Sequence, residues 1–374
     1  MKKKWRYINE VNVNASYGLG ADEYLMANSE SPTLRLYTYK NYSVLAGRFQ
    51  DIRTEIDIDK CEALGNDYNR RLTGGGAIIM GEDQLGICFA VPANYFSWKQ
   101  IRELYELLSS PIIGSLQNFG IAASFRSKND LEVNGKKIAG LGIHLDPQGN
   151  FHFHSSLLLD LDIKDMLSVL NIPSQKFEDK RMINSVEQRM TTVRKEIGKQ
   201  ISMAELKASI KNSFQQYFQI EWNEIPFSNK EKVGINKIET DRYLNSEWIF
   251  QRSAQEDMDG MSLKKTKAGL LRTYIALKGE TIKSVLITGD FMEGSIVISR
   301  IEARLKWMLL DKEQIGNAIR TEMQSEDIEL TPDDIIDAVW MAAQRGLAAA
   351  RYTYKGSCYY PKEEKPTERK LEMI

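Results

Sequence analysis

The chain has 374 residues, 42% hydrophobic and 27% charged, with a formal net charge of -1. That length exceeds one typical domain, so two are expected, and the near-neutral charge supplies no whole-protein field for nucleic acid or an anionic membrane. Cys61, Cys88 and Cys358 are widely spaced, no Cys/His cluster has zinc spacing, and no apolar run approaches a membrane span or a signal-peptide core, so a cytoplasmic protein without disulfides, structural zinc or membrane contact is expected.

Residues 5–9 read as a short strand and 21–26 as part of a helix, with Asp22 as a structural cap. Alternation over 33–39 and 42–46 predicts two strands across the turn Lys40-Asn41, and Gly47-Arg48-Phe49-Gln50 then brings polar groups able to face a ligand. A helix over 57–64 delivers the chain to Arg70-Arg71-Leu72-Thr73-Gly74-Gly75-Gly76-Ala77, just ahead of an apolar run that ends at Met80. Three consecutive glycines cost backbone entropy and make sense where a backbone passes close to a ligand. Arginine adds a planar fork that matches phosphate or carboxylate oxygens. Taken alone, the loop reads equally as an anion site entering a strand or as a tight turn with two solvated arginines. It lacks the Gly-Lys-Ser/Thr of a Walker loop, and Ile79 stands where the dinucleotide fingerprint needs its third glycine.

A buried strand over 85–91 carries Cys88, and a helix follows within 101–119. In the stretch from Ser127 to Gly140, Leu131 to Val133 is a strand, Asn134-Gly135 a type I′ hairpin turn, and 136–143 the return strand. A second hairpin turns at 146–150 and returns over 151–159. Alternation puts Lys136 and Lys137 on opposite faces; one should enter a pocket, unless both are solvated, the commoner fate of lysine. Helices are expected at 163–170 and 203–218, the second with Leu206, Ile210, Phe214, Tyr217 and Phe218 as a core stripe. The polar stretch 223–241 reads as a linker. Strands at 270–277 and 282–288, an amphipathic helix at 301–310, and a helix from Pro332 to about Arg351 capped by Thr331 complete the pattern before a loose charged tail from Lys362.

Together, Arg-Arg-x-Thr-Gly-Gly-Gly-Ala, then Asn129-Asp130-Leu131, the Gly135-Lys136-Lys137-Ile138 hairpin and His154-Ser155-Ser156-Leu157 resemble the lipoate–protein ligase family. Gly47-Arg48-Phe49-Gln50, the helix around Asp22 and Ser185-Val186-Glu187-Gln188-Arg189 support the match, which covers roughly residues 5–235 and continues more weakly past Gly289-Asp290-Phe291. The resemblance implies an α+β fold: mixed and antiparallel sheets with packed helices in a lipoate/biotin ligase-like catalytic domain (1–235), then a smaller α/β accessory domain (236–374) that reorients between the two steps. It implies formation of lipoyl-AMP from lipoate and ATP, and lipoyl transfer to a lysine of lipoyl domains in 2-oxoacid dehydrogenase acyltransferase subunits or of the glycine-cleavage H protein, by a monomer. Lys137 matches the lysine that contacts the acyl carbonyl and the phosphate. Gly74, Gly75, Gly76 and Ala77 would line the adenylate, Arg71 and Thr73 hold the acyl-phosphate region, and Arg70 brace the loop. Asn129 lies near the adenylate, Asp130 holds Mg2+ bridged by phosphate, and His154 stands beside the acyl pocket or is an ordinary core histidine. Met80 occupies a place where the family usually has histidine, and would line an apolar pocket.

Octanoyltransferases of the same fold use a cysteine nucleophile, because a thiolate exchanges with a thioester. In those relatives it lies just before the lysine hairpin or after the histidine strand; here 122–127 and 160–175 contain no cysteine, which favours ATP-dependent activation. Biotin ligases share the general fold, but the glycine-arginine-rich loop expected of them is absent. A non-catalytic lipoyl-binding scaffold is disfavoured by the retained Lys137, Asn129 and Asp130.

Overall fold

The computed structural model describes residues 2–126, 129–171, 187–292, 295–324 and 328–352. Ser127, Lys128, 172–175, Ser185, Val186, Cys358 and the tail from Lys362 lie outside the described residues. The chain forms two compact units. The first runs to Ser253 and regains 288–292; the second takes 254–287 and the described residues from 295 onward.

The first unit contains strands β1 (Lys4–Asn9), β2 (Thr33–Tyr37), β3 (Ser43–Ala46), β4 (Asp67–Arg70), β5 (Ile78–Met80), β6 (Gln84–Val91), β7 (Ser124–Arg126), β8 (Asp130–Val133), β9 (Lys136–Leu145), β10 (Phe151–Leu158) and β11 (Glu221–Glu224). Eight form one mixed sheet in the order β11-β1-β2-β6-β10-β9-β8-β7, and β4-β3-β5 form a second. The pairs β1–β11 and β1–β2 are parallel, while β2–β6, β6–β10 and β9–β10 are antiparallel.

Side chains alternate between the two faces of a strand, and that alternation divides core from site. Leu34, Leu36, Ile87, Phe89, Leu141, Ile143, Phe153 and Leu157 point to one face and join a core with Leu104, Leu108 and Ile112 of the helix Ile101–Gln117 and Leu206, Ile210 and Phe214 of the helix Met203–Phe218. Each such buried side chain contributes about 1.5–3 kcal/mol. The stripe expected on the second helix is therefore core, except for the exposed Tyr217. The other face of the large sheet carries Arg35, Tyr37, Gly86, Cys88, Gly140, Gly142, His152, His154 and Ser156, aligned across four strands by their register. Small and polar residues there leave room for a ligand.

Three local expectations are corrected. β2 and β3 do not form a hairpin: the Tyr39 and Lys40 N–H groups donate to Gly81 and Val13 carbonyls, carrying the chain from one sheet to the other. Asp22 is no cap. It lies inside the helix Ala15–Asn28 and accepts from Arg35 (2.7 Å) and the Tyr37 hydroxyl (2.8 Å), helping Glu10 neutralise a fully buried guanidinium. The polar stretch 223–241 is not a linker: after β11, a helix Asn229–Ile238 starts at a Ser228/Glu231 capping box and leads into a π-helical turn, Glu239–Tyr243. Phe227 and Ile235 are its buried residues, too few to lift the mean hydropathy. A boundary at 235/236 would cut that helix; the units divide after Ser253.

The second unit holds an antiparallel sheet of β12 (Gly260–Lys265), β13 (Leu270–Lys278) and β14 (Thr281–Gly289), the last of which reaches into the segment regained by the first unit. Its helices are Ser295–Leu305, Lys312–Met323 and Pro332–Tyr352. The helix expected at 301–310 ends earlier because Trp307 adopts a positive φ of 67°. The Thr331 hydroxyl accepts from the Asp334 N–H at 3.2 Å, as a cap should. Among the described residues no helix is long and apolar enough to cross a membrane.

Candidate active site

The arginine-glycine loop connects β4 to β5. Arg70 is fully buried. Its guanidinium donates to the carbonyls of Gly47 (3.0 Å), Arg48 (3.0 Å), Gln50 (2.7 Å) and Ile249 (2.9 Å), so it braces the loop. Burial, with Arg48 nearby, lowers its pKa to about 9, which still leaves it charged at neutral pH. Arg71 was expected to hold the acyl-phosphate region. In the structure its fork donates to Leu45 (2.6 Å), Gly74 (2.9 Å) and Gly76 (2.7 Å) carbonyls and curls the loop around itself; burial lowers its pKa to about 10.

The glycines are needed for close approach. A Cβ on Gly74 would lie 2.3 Å from the Phe291 carbonyl oxygen, and one on Gly47 1.9 Å from that of Gly75. Gly75 has φ +89°, and its N–H donates to the Phe291 carbonyl at 3.2 Å. Phe291 in turn stacks on Phe49 with centroids 4.6 Å apart. Gly76 is exposed, and a Cβ there would meet nothing within 4 Å; Ala77 beside it is half-buried. The loop's open side is therefore at Gly76 and Ala77.

Lys137 reaches the site because of a bulge. Leu131 pairs with Ala139, but Glu132 pairs with Lys137, leaving Ile138 as an extra residue on β9. Counting alternation back from the core residues Ile143 and Leu141 would aim Lys137 into the core. With the bulge, Ile138 and Ala139 both enter the core and Lys137 swings to the face of Gly140 and Gly142, the re-aiming such bulges produce. Its backbone is fixed there: the Lys137 N–H donates to the Arg189 carbonyl (2.7 Å) and its carbonyl accepts from Thr191 (2.9 Å). The ammonium is 2.6 Å from an Asp130 carboxylate oxygen, both side chains about 30% exposed (31% and 28%). Asn129, next in the chain, donates to the Leu141 carbonyl at 3.2 Å, and its amide nitrogen lies 3.9 Å from where a Gly75 Cβ would be. The structure thus brings Lys137, Asn129, Asp130 and the glycine loop together.

A cleft with an empty volume of about 440 Å³, part of it open to solvent, adjoins this group. Leu19, Leu45, Ile78 and Met80 give it apolar walls; Thr73, His154 and Ser156 border it, as do Asp22, Tyr37 and Tyr39. His154 lies against Gly142, where a Cβ would come within 2.2 Å of its Nε2, and that nitrogen is 2.6 Å from the Thr73 hydroxyl. Burial lowers all three imidazole pKa values, His144 to about 3, His152 to about 4 and His154 well below the ordinary value. They are neutral at physiological pH, and His154 with Thr73 forms an uncharged hydrogen-bonded pair. Cys88 lies on the cleft side of the sheet but is fully buried, and burial holds its thiol well above the ordinary pKa. Cys61 sits in a separate core, its pKa raised to about 11 by burial.

Among the described residues no group of three or more His, Cys, Asp or Glu side chains could hold a metal. Asp130 is a single carboxylate. That suits Mg2+ only as one ligand among phosphate oxygens, the usual way this ion is held. Sequence reading did not single out Gly140, Gly142 or Ser156 as site residues. Their signal is the shared two-residue period of Gly140, Gly142, His144 on β9 and His152, His154, Ser156 on β10, which places all six on one face.

The site thus sets a lysine-carboxylate pair and a glycine loop beside an apolar-walled cleft on one face of a mixed sheet. The chain belongs to the family described as the lipoyl protein ligase A/B catalytic domain, whose profile matches residues 14–215. The lipoate-protein ligase LplJ of Bacillus subtilis is 24% identical over 338 residues, 89% of this chain and 99% of that protein. The octanoyltransferase LipM of Brevibacillus brevis is 25% identical over 277 residues, 67% of this chain and 100% of that protein. LipL1 of P. falciparum, solved in complex with lipoate, has the same fold, with a TM-score of 0.67 at 17% identity over 90% of this chain and 98% of that one.

Proposed function

We propose that the protein is an ATP-dependent lipoate–protein ligase that forms lipoyl-AMP and transfers the lipoyl group to a lysine of a lipoyl domain. The carrying observation is that both thiols among the described residues are fully buried, with pKa values raised by burial. A thioester-exchanging enzyme needs an accessible thiolate. The match to LplJ, which takes in 89% of this chain against 67% for LipM, supports the same reading.

In the first step the lipoate carboxylate attacks the α-phosphorus of ATP and pyrophosphate leaves. Two anions must approach, and the Lys137 ammonium supplies fixed positive charge between them. Asp130 holds that ammonium in place and would be the residue that holds Mg2+, which would neutralise phosphate charge; Asn129 lies beside the adenylate. Gly76 and Ala77, on the loop's open side, let the backbone lie along the adenylate, while Gly74 and Gly75 hold the turn behind them. Arg71 shapes that loop through its carbonyls, and the neutral His154–Thr73 pair borders the acyl chain. The cleft walls, Met80 among them, exclude water that would hydrolyse the anhydride. In the second step the acceptor amine attacks the acyl carbonyl, and Lys137 stabilises the oxyanion.

The transferase reading has one specific support, the whole-length match to LipM. Mass spectrometry of a lipoyl domain decides between them. With lipoate and Mg-ATP the ligase adds one lipoyl group. Modification only from octanoyl carrier protein, without ATP, would overturn the ligase reading.

A further inference from the structure

We infer that Ser156 is a further catalytic residue, whose hydroxyl donates to the acyl carbonyl oxygen opposite Lys137 during transfer. The inference rests on the acyl-transfer chemistry proposed above. Ser156 pairs with Gly86 on one side and Gly140 on the other. Neither neighbour has a side chain, and the two vacated places are filled differently. The ring of Tyr37 occupies the first, 2.5 Å from where a Gly86 Cβ would be. The second holds the end of Lys137: a Cβ on Gly140 would lie 3.2 Å from Lys137 Nζ and 3.4 Å from Ser156 Oγ. Two hydrogen-bond donors on different strands therefore converge on one point, kept clear by Gly140.

Ser156 is 7% exposed and borders the cleft. It makes no side-chain hydrogen bond among the described residues. The hydroxyl keeps access to the cleft, where a ligand oxygen can meet it. The Lys137 ammonium is held by Asp130 on its other side, which leaves its approach to Gly140 as the direction shared with Ser156. A carbonyl oxygen placed there accepts one N–H from lysine and one O–H from serine, the two-donor arrangement that stabilises tetrahedral intermediates.

The step balances without a co-reactant. The acceptor nitrogen lone pair bonds to the acyl carbon, and the carbonyl π pair moves onto oxygen, where both donors hold it. The intermediate collapses, the bond from acyl carbon to phosphate oxygen breaks, and AMP leaves with that electron pair. The new amide nitrogen releases its proton to solvent. Ser156 keeps its own proton throughout and forms no covalent bond.

The test is single-turnover transfer from supplied lipoyl-AMP to a lipoyl domain, using the full chain, with lipoyl-AMP affinity measured alongside. For Ser156→Ala the rate should fall about a hundredfold, as for loss of one such donor, with affinity nearly unchanged. Ser156→Thr, which keeps a hydroxyl, should recover most of it. Wild-type rate in Ser156→Ala would overturn the inference, as would Ser156→Thr as slow as Ser156→Ala, or an acyl ester trapped on Ser156. A wild-type protein that transfers nothing from lipoyl-AMP would overturn the functional reading itself, a result distinct from the other three.

Discussion

Lys137 carries the most weight at the residue scale. Among the described residues it is the one lysine that the bulge aims over Gly140 and that pairs with Asp130. Lys137→Ala should lower lipoyl transfer by about a hundredfold or more, roughly 3 kcal/mol, without changing the circular dichroism spectrum. Lys136 pairs with Val133, on the other face of the sheet, and Lys136→Ala should be mild; a dead Lys136→Ala beside an active Lys137→Ala would reverse the assignment. The histidines make a separate prediction about pH. His144 and His152 have native pKa values near 3 and 4, below the ordinary 6.5, so on acidification the unfolded chain takes up their protons first. Stability is then full above about 6.5 and falls as pH drops toward 4. A melting temperature that declines over this window, with imidazole NMR shifts still those of neutral rings at pH 5.5, is the expected result; rings that titrate near 6.5 in the native protein would contradict it.

At the scale of elements, the bulge on β9 decides which face the lysine reaches. Inserting one residue between Leu131 and Glu132 gives Ile138 a partner and restores regular pairing; alternation from Ala139 should then turn Lys137 toward the core, so that activity falls as far as in Lys137→Ala and the melting temperature falls too. An insertion variant with wild-type transfer would show that the bulge does not aim the lysine. The hairpin itself was legible, because Asn134-Gly135 fits a turn with two positive φ values and adopts them, 50° and 77°. The bulge was not, since alternation in β8 and β9 gives no sign of an extra residue until their register is known. The core helices were legible from their apolar period. The helix Asn229–Ile238 was not, because it is anchored by Ile235 alone among otherwise partly exposed residues. Arg71 shows the same limit at the site. Its residue type suggests an anion fork, but its carbonyl partners could not be read, because only the folded loop brings them within reach.

For the whole molecule, the question is what the second unit does for a site it does not contain. Residues 288–292 belong to the first unit, where the Phe291 carbonyl accepts from Gly75 and Gly289 donates to Phe49. A chain ending at Ser253 loses those contacts and leaves the glycine loop uncovered. We expect it to transfer lipoyl from supplied lipoyl-AMP but to form lipoyl-AMP poorly, because adenylation needs a dry site. Assay of both half-reactions, after circular dichroism has established folding, gives the answer. Full adenylation with lost transfer would reverse the assignment, and undiminished activity in both would make the second unit a stability or recognition module.

The central claim is activation of lipoate by ATP without a catalytic thiol, and lipoate-dependent ATP–pyrophosphate exchange tests it most directly. Wild-type protein and a variant with Cys61, Cys88 and Cys358 all changed to alanine should both exchange label, provided the variant folds, and only when lipoate is present. Lys137→Ala should not. No exchange in the wild type, together with an acyl thioester trapped on one of the three cysteines from octanoyl carrier protein, would contradict the account.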